Sequence, residues 1–123
     1  MCGAARALGY VCAPSLLQKL LPYCLGKTSD ISIYDRNRRL LLEKLTEYGF
    51  DMIRPDGAFY LFIKSPSGDA GEFCERAKEY EILIVPSDDF GCPGYARLAY
   101  CVTTEQIEKA LPAFEKLAKS YKE

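Results

Sequence analysis

The 123 residues predict an α+β domain: a small antiparallel or mixed sheet of about four strands covered by helices, in the order α-α-β-β-α-β-β-α. Three patterns carry this reading. Apolar residues recur at helical spacing near both ends of the chain, short apolar runs fill the middle, and Gly, Pro and capping signals punctuate them.

Ala13 to Cys24 reads as a helix opening at Pro14, with Leu17, Leu20, Leu21 and Cys24 on one stripe and Gly26 as the stop. A longer amphipathic helix follows from Asp30 to Tyr48, with Ile33, Leu41, Leu45 and Tyr48 inward and Gly49 closing it; Arg36, Arg38, Arg39, Glu43 and Glu47 face solvent. Phe50 to Arg54 and Ala58 to Lys64 are strands joined by Pro55-Asp56-Gly57, where proline presets one dihedral and glycine accepts a positive φ. Asp69 and Glu72 have capping-box spacing and start a helix with Phe73, Ala77 and Tyr80 inward. Ile82 to Val85 is a continuous apolar run, expected as a buried strand. After the loop from Pro86 to Gly94, Tyr95 to Val102 forms the last strand. Thr103 and Gln106 then cap a final helix that buries Ile107, Leu111, Phe114, Leu117, Ala118 and Tyr121. Pro112 should kink or break that helix.

Composition narrows the function classes. With 49% hydrophobic residues and 123 in all, the chain reads as one domain, residues 1–123, able to bury a core. Sixteen basic and 17 acidic residues are interspersed, so there is no basic face for a nucleic acid. No stretch approaches the ~20 apolar residues of a membrane span, and the amino terminus lacks a secretory pattern. A cytoplasmic location is expected. Six cysteines include no CxxC pair; Cys24, Cys74 and Cys101 fall in apolar segments, where reduced cysteine packs as a small hydrophobe. The chain contains no histidine, which removes Ser-His-Asp and Cys-His chemistry and leaves no metal-site pattern.

One charge stands out. In the strand Tyr95 to Val102, alternation places Tyr95, Arg97, Ala99 and Cys101 on one face, and Arg97 is the only charge among apolar and aromatic residues. A buried guanidinium requires an anionic partner. Two readings remain open: an internal ion pair with Asp88 or Asp89, which strand logic alone favours, and a bidentate grip on a ligand carboxylate. The loop before it holds two prolines and two glycines around Phe90, a composition that gives a segment of defined shape. Gly57 and Ala58, beside Phe59, would allow close approach to the backbone.

Three segments in order resemble the class I/II aminotransferases of the aspartate aminotransferase family, fold type I: Pro55 to Tyr60, Ile84 to Gly91 and Pro93 to Tyr100. With the closing helix and Ala13 to Gln18, the resemblance covers essentially the whole chain and places it at the family's carboxyl-terminal small domain. It implies that Arg97 binds the α-carboxylate of an amino-acid or 2-oxo-acid substrate, that Phe59 and Phe90 lie near it, and that the parent enzyme is a homodimer using pyridoxal 5'-phosphate. It also implies what this chain lacks. Nothing matches the Ser-x-x-Lys segment of the Schiff-base lysine, so no catalytic or cofactor-binding residue is assigned. The large domain is absent, no cofactor is expected on this fragment, and the chain alone is expected to be inactive. Arg6 is out of register with the family's phosphate arginine and receives no role, while Ser87 stands where the family commonly has glycine. The alternatives are a small-molecule-binding module without chemistry and an interaction domain, both on the same α+β fold.

Overall fold

A computed structural model describes residues 3, 7, 12–28 and 30–122. Arg6 and Cys2 lie outside the described residues. The chain divides into two compact units, Met1–Asp30 and Ile31–Glu123.

In the first unit α1 spans Ser15–Cys24, with Pro14 at its amino cap. Pro22 lies inside the helix. Its leucine stripe is not buried: Leu16, Leu17, Leu20 and Leu21 are all exposed, as is Cys24. Some thirty residues are too few to enclose an apolar helix face by themselves.

The second unit holds α2 (Ser32–Tyr48), β1 (Met52–Ile53), β2 (Tyr60–Lys64), α3 (Ala70–Glu79), β3 (Val85–Pro86), a short 3-10 turn (Asp88–Phe90), β4 (Tyr95–Ala99) and α4 (Thr104–Lys119). The expected α+β order is observed. The sheet is antiparallel throughout, with spatial order β1-β2-β4-β3. Leu61, Ile63 and Ala96 point from one sheet face into a core shared with Leu41 and Leu45 of α2, Phe73 and Ala77 of α3, and Ile107, Phe114 and Leu117 of α4. The opposite face, carrying Ile53, Tyr60, Phe62, Val85, Tyr95 and Arg97, is only half-buried or exposed.

Local signals account for the helix ends. Gly49 takes φ 99 and ends α2 in the left-handed cap that glycine adopts without steric cost. Asp69 accepts from the N–H groups of Gly71 and Glu72 at the start of α3. The reciprocal half of a capping box is missing there, because Glu72 accepts instead from Ser67, Tyr121 and Arg76. Those contacts hold its carboxyl below the usual range, with the Ser67 hydroxyl the main cause. Thr103 and Gln106 form the full box at α4.

Several expectations fail for physical reasons. Ile82 to Val85 is not a continuous buried strand: Ile82 and Ile84 are buried, Leu83 is 81% exposed, and pairing begins only at Val85. This segment lies at the sheet edge, where one row of side chains faces water. Of the kink or break expected at Pro112, the break does not occur: helix α4 runs through it as one element. Burial of Ile107 before the proline and of Phe114, Leu117 and Ala118 after it holds both halves against the core. Ile33 is 45% exposed, so the inward stripe of α2 starts later than its spacing implied. Cys101 lies beyond the end of β4 and is exposed, while Cys74 alone of the three expected core cysteines is buried.

Asn37 is a polar residue inside this core, fully shielded from solvent. Its amide donates to the carbonyls of Tyr100 (3.1 Å) and Val102 (2.7 Å), and its carbonyl accepts from the Thr104 hydroxyl at 2.8 Å. One side chain thus ties α2 to the turn between β4 and α4. Asn37→Ala should cost about 2–4 kcal/mol in urea unfolding, because it strands two carbonyls and a hydroxyl at once. Burial pushes the Cys74 thiol up to about 11 from an ordinary value of 9.0. The neutral thiol is the form the fold favours, so this contribution is complete below pH 9 and is lost as pH rises towards 11. Thiol labelling at neutral pH should modify exposed Cys12, Cys24 and Cys101 rapidly and Cys74 only on unfolding.

Candidate functional site

Strand β4 lies between β2 and β3, so the residue at its centre is flanked on both sides. That residue is Arg97, opposite Phe62 of β2 and Val85 of β3 on the open face of the sheet. Tyr60 is two residues from Phe62 along β2, the diagonal position that long side chains reach across a sheet. The central guanidinium carbon of Arg97 lies 4.4 Å over the Tyr60 ring and 4.0 Å over the Phe90 ring. Phe90 reaches it from the 3-10 turn after β3. The cation thus contacts two π surfaces, each attractive by about 0.5–2 kcal/mol depending on solvent exclusion.

Among the described residues no carboxylate forms an ion pair with Arg97, and its guanidinium makes no hydrogen bond. Asp88 and Asp89, the internal partners open to it in the sequence, are solvent-exposed and stay unpaired with it. They begin the 3-10 turn, which directs Phe90 rather than a carboxylate at the arginine. The side chain is half-buried, so water still solvates part of the charge. The site therefore presents an oriented cation whose donors are not occupied by any described residue.

The Pro55–Phe59 turn supports this arrangement in a way the sequence misassigned. The positive φ falls on Ala58, at 58°, and not on Gly57. Gly57 has no heavy atom near its missing Cβ, so close approach is not its role. An L-residue in this left-handed region costs about 1–2 kcal/mol. Tyr100 holds the turn there: its hydroxyl donates to the Ala58 carbonyl at 2.9 Å, and its N–H donates to the Phe59 carbonyl at 3.0 Å. The Tyr100 ring is 2% exposed, and burial raises its hydroxyl pKa. Phe59 packs its ring on Tyr60 at 4.5 Å and is 40% exposed. Of the three residues singled out in the sequence, Arg97 and Phe90 are in contact, and Phe59 backs Tyr60. Tyr60 itself was missed. Its diagonal relation to Arg97 becomes visible only once the β2–β4 register is known.

Ser87 takes φ −103, a value open to any residue, so the position usually held by glycine is unstrained here. Its backbone ties the loop to β4 through Ser87 N–H to the Tyr95 carbonyl at 2.8 Å, and its own carbonyl accepts from Phe90 and Cys92. Its hydroxyl is buried with no protein partner. Gly94, at φ 76, is required for a different reason: a Cβ there would lie 3.3 Å from the Gly68 carbonyl oxygen.

The fold and site together define a three-helix, one-sheet domain that offers a stacked, unneutralised arginine on its open face. A profile of the family described as aminotransferase class I and II matches residues 13–114, and the chain belongs to that family. An aminotransferase structure from Eubacterium rectale is 55% identical with a TM-score of 0.90, covering 99% of this chain and 31% of that one. The aspartate/prephenate aminotransferase of Thermus thermophilus is 41% identical over 86 residues, 68% of this chain and 22% of the relative. The aromatic-amino-acid aminotransferase 2 of Thermococcus litoralis is 37% identical over 94 residues, 72% of this chain and 24% of the relative. The chain thus spans about a quarter of the length of the curated relatives it matches.

The cofactor implied by the family does not fit the residues described. An imine-forming lysine needs its amine withdrawn from water so that it loses its proton. Every described lysine is exposed except half-buried Lys44, whose amine Glu47 holds protonated by raising its pKa. Lys64 shares the face of Arg97, yet it is 55% exposed and lies 3.7 Å from the Asp51 carboxylate. No described lysine is suited to that role. Relief of the strained turn gives a direct check on the support of Tyr60: Ala58→Gly should leave stability unchanged or raise it by up to about 1 kcal/mol in thermal unfolding, although Ala→Gly in ordered segments ordinarily destabilises.

Proposed function

We propose that this chain is the carboxyl-terminal small-domain portion of a pyridoxal-phosphate-dependent aminotransferase, and that Arg97 holds the α-carboxylate of its amino-acid or 2-oxo-acid substrate. The observation that carries the reading is the Arg97 guanidinium, held against Tyr60 and Phe90 but paired with no carboxylate among the described residues. A planar fork with free in-plane donors fixes a carboxylate in orientation as well as position, which an ammonium cannot do. Such placement lowers the barrier of a subsequent step at the adjacent carbon by holding it in a reactive geometry. Phe90 and Phe59 exclude water from the arginine and from the ring that supports it. The lysine, the cofactor cradle and the partner subunit of a homodimer belong, on this reading, to parts of the enzyme that the relatives carry outside the matched quarter. The 123 residues then contribute substrate binding and no bond-breaking group.

The poor fit of the described lysines to the cofactor also favours a second reading, a binding or interaction module without chemistry. Titration of the 123-residue chain with amino acids and 2-oxo acids separates the two. Micromolar binding without cofactor supports the module; its absence supports the half-site.

The main test is a chimera in which this chain replaces the matching segment of the Eubacterium rectale aminotransferase. With pyridoxal phosphate it should transaminate. Arg97→Ala should raise KM for the amino acid by about a hundredfold or more, the loss expected for two charge-assisted hydrogen bonds, without changing the absorbance of bound cofactor. An unchanged KM removes Arg97 from the substrate site.

A further inference from the structure

We propose that Tyr100 is a positioning residue for the substrate site: it fixes the backbone on both sides of Phe59, and Phe59 holds the Tyr60 ring against Arg97. This rests on the role proposed for Arg97 and adds to it a buried residue that acts only through others.

Tyr100 directly follows Ala99, whose pairing with Tyr60 ends the β2–β4 ladder. Its N–H continues that ladder by one step, donating to the Phe59 carbonyl at 3.0 Å. Any residue but proline offers this bond. The second bond is particular to tyrosine: the ring is buried in the core, and its hydroxyl donates to the Ala58 carbonyl at 2.9 Å. One residue thus grips the carbonyl before Phe59 and the carbonyl of Phe59 itself. Together these fix the two peptide planes that set the direction of the Phe59 side chain. Phe59 needs such a hold. It is 40% exposed, and the peptide ahead of it starts from Ala58 at φ 58, a conformation that an alanine keeps only where its surroundings retain it. The Phe59 ring centroid lies 4.5 Å from that of Tyr60, and the Tyr60 ring lies 4.4 Å from the guanidinium carbon of Arg97. Tyr100 is held in turn by Asn37, whose amide donates to its carbonyl at 3.1 Å. Contacts therefore run without a gap from the core through Tyr100, Phe59 and Tyr60 to the cation.

Tyr100→Phe removes the hydroxyl alone and keeps the ring and the N–H. In the 123-residue chain with nitrogen-labelled arginine, the Arg97 Nε–H resonance reports the Tyr60 ring through its ring current. Arg97→Gln identifies the resonance, and Tyr60→Leu gives its position without that ring. Tyr100→Phe should move it in the direction set by Tyr60→Leu. With Phe59→Ala already in place it should move little further, because residues acting along one path are not additive. In the chimera with the Eubacterium rectale aminotransferase, Tyr100→Phe should raise KM for the amino acid about three- to tenfold, with kcat and cofactor absorbance unchanged. A resonance that stays in place in Tyr100→Phe overturns the positioning role, and an equal displacement in the Phe59→Ala background overturns the route through Phe59. A fall in kcat or an altered absorbance marks a general loss of structure and overturns the role as well. If Arg97→Ala raises KM and Tyr100→Phe does not, the positioning role fails and the carboxylate role stands. If neither raises KM, the carboxylate role fails and the positioning role falls with it.

Discussion

A cation held in place without being neutralised is the constraint on which this domain's functional face depends. Most partly buried arginines are fixed by a carboxylate, which directs the side chain and cancels its charge in the same contact. Here the two tasks are separated. The Tyr60 and Phe90 rings direct Arg97, while its charge remains available. Each cation–π contact contributes about 0.5–2 kcal/mol, enough to favour one orientation and far too little to match removal of a guanidinium from water. The side chain is accordingly only half-buried. A carboxylate of Asp88 or Asp89 in place of the Phe90 ring would make the arginine equally rigid and leave it no capacity to bind an anion.

The backbone that presents Arg97 is secured from behind. Tyr100 follows β4, and its ring lies in the core while its hydroxyl and N–H hold Ala58 and Phe59. Asn37 grips the carbonyls of Tyr100 and Val102 from α2. The same short stretch therefore anchors the turn that leads into Tyr60 and the strand that carries Arg97. Strain at Ala58 fits this picture: an unfavourable φ persists where surrounding bonds determine the backbone, and here those bonds set where the Tyr60 ring begins. The helical face holds the structure, and the open face carries the candidate chemistry.

What could be read from the sequence follows the range of the interactions involved. Gly49 as a helix end and the Thr103–Gln106 box depend on neighbours within a few residues, and both are observed. The α+β order was legible for the same reason. Arg97 was visible because a lone charge in an apolar strand is a local anomaly. Its two ring partners differ: Phe90 stood out in a shaped loop, whereas Tyr60 looked like any strand aromatic until register placed it diagonally opposite. Asn37 was hidden among the solvated residues of α2, since its partners lie more than sixty positions away. The run Ile82 to Val85 misled because a continuous apolar run does not state whether its strand is central or at an edge. The break allowed at Pro112 does not occur, because burial on both sides of the proline holds both halves of α4.

The separation of direction from neutralisation also bears on why such a site suits part of a larger enzyme. An arginine satisfied within its own domain is complete wherever that domain goes. One that is oriented but unsatisfied gains a full set of hydrogen bonds only when an anion arrives, so binding energy is released at the moment of ligand capture. Under the proposed function, that anion also touches groups from the rest of the enzyme, and the arginine links ligand binding to the relative placement of the parts. The ring contacts favour the orientation in which the cation stays unpaired among the described residues. Under that same function, its readiness for an external carboxylate is a property of the β2–β4 register and the turn that delivers Phe90, and both are built by this chain.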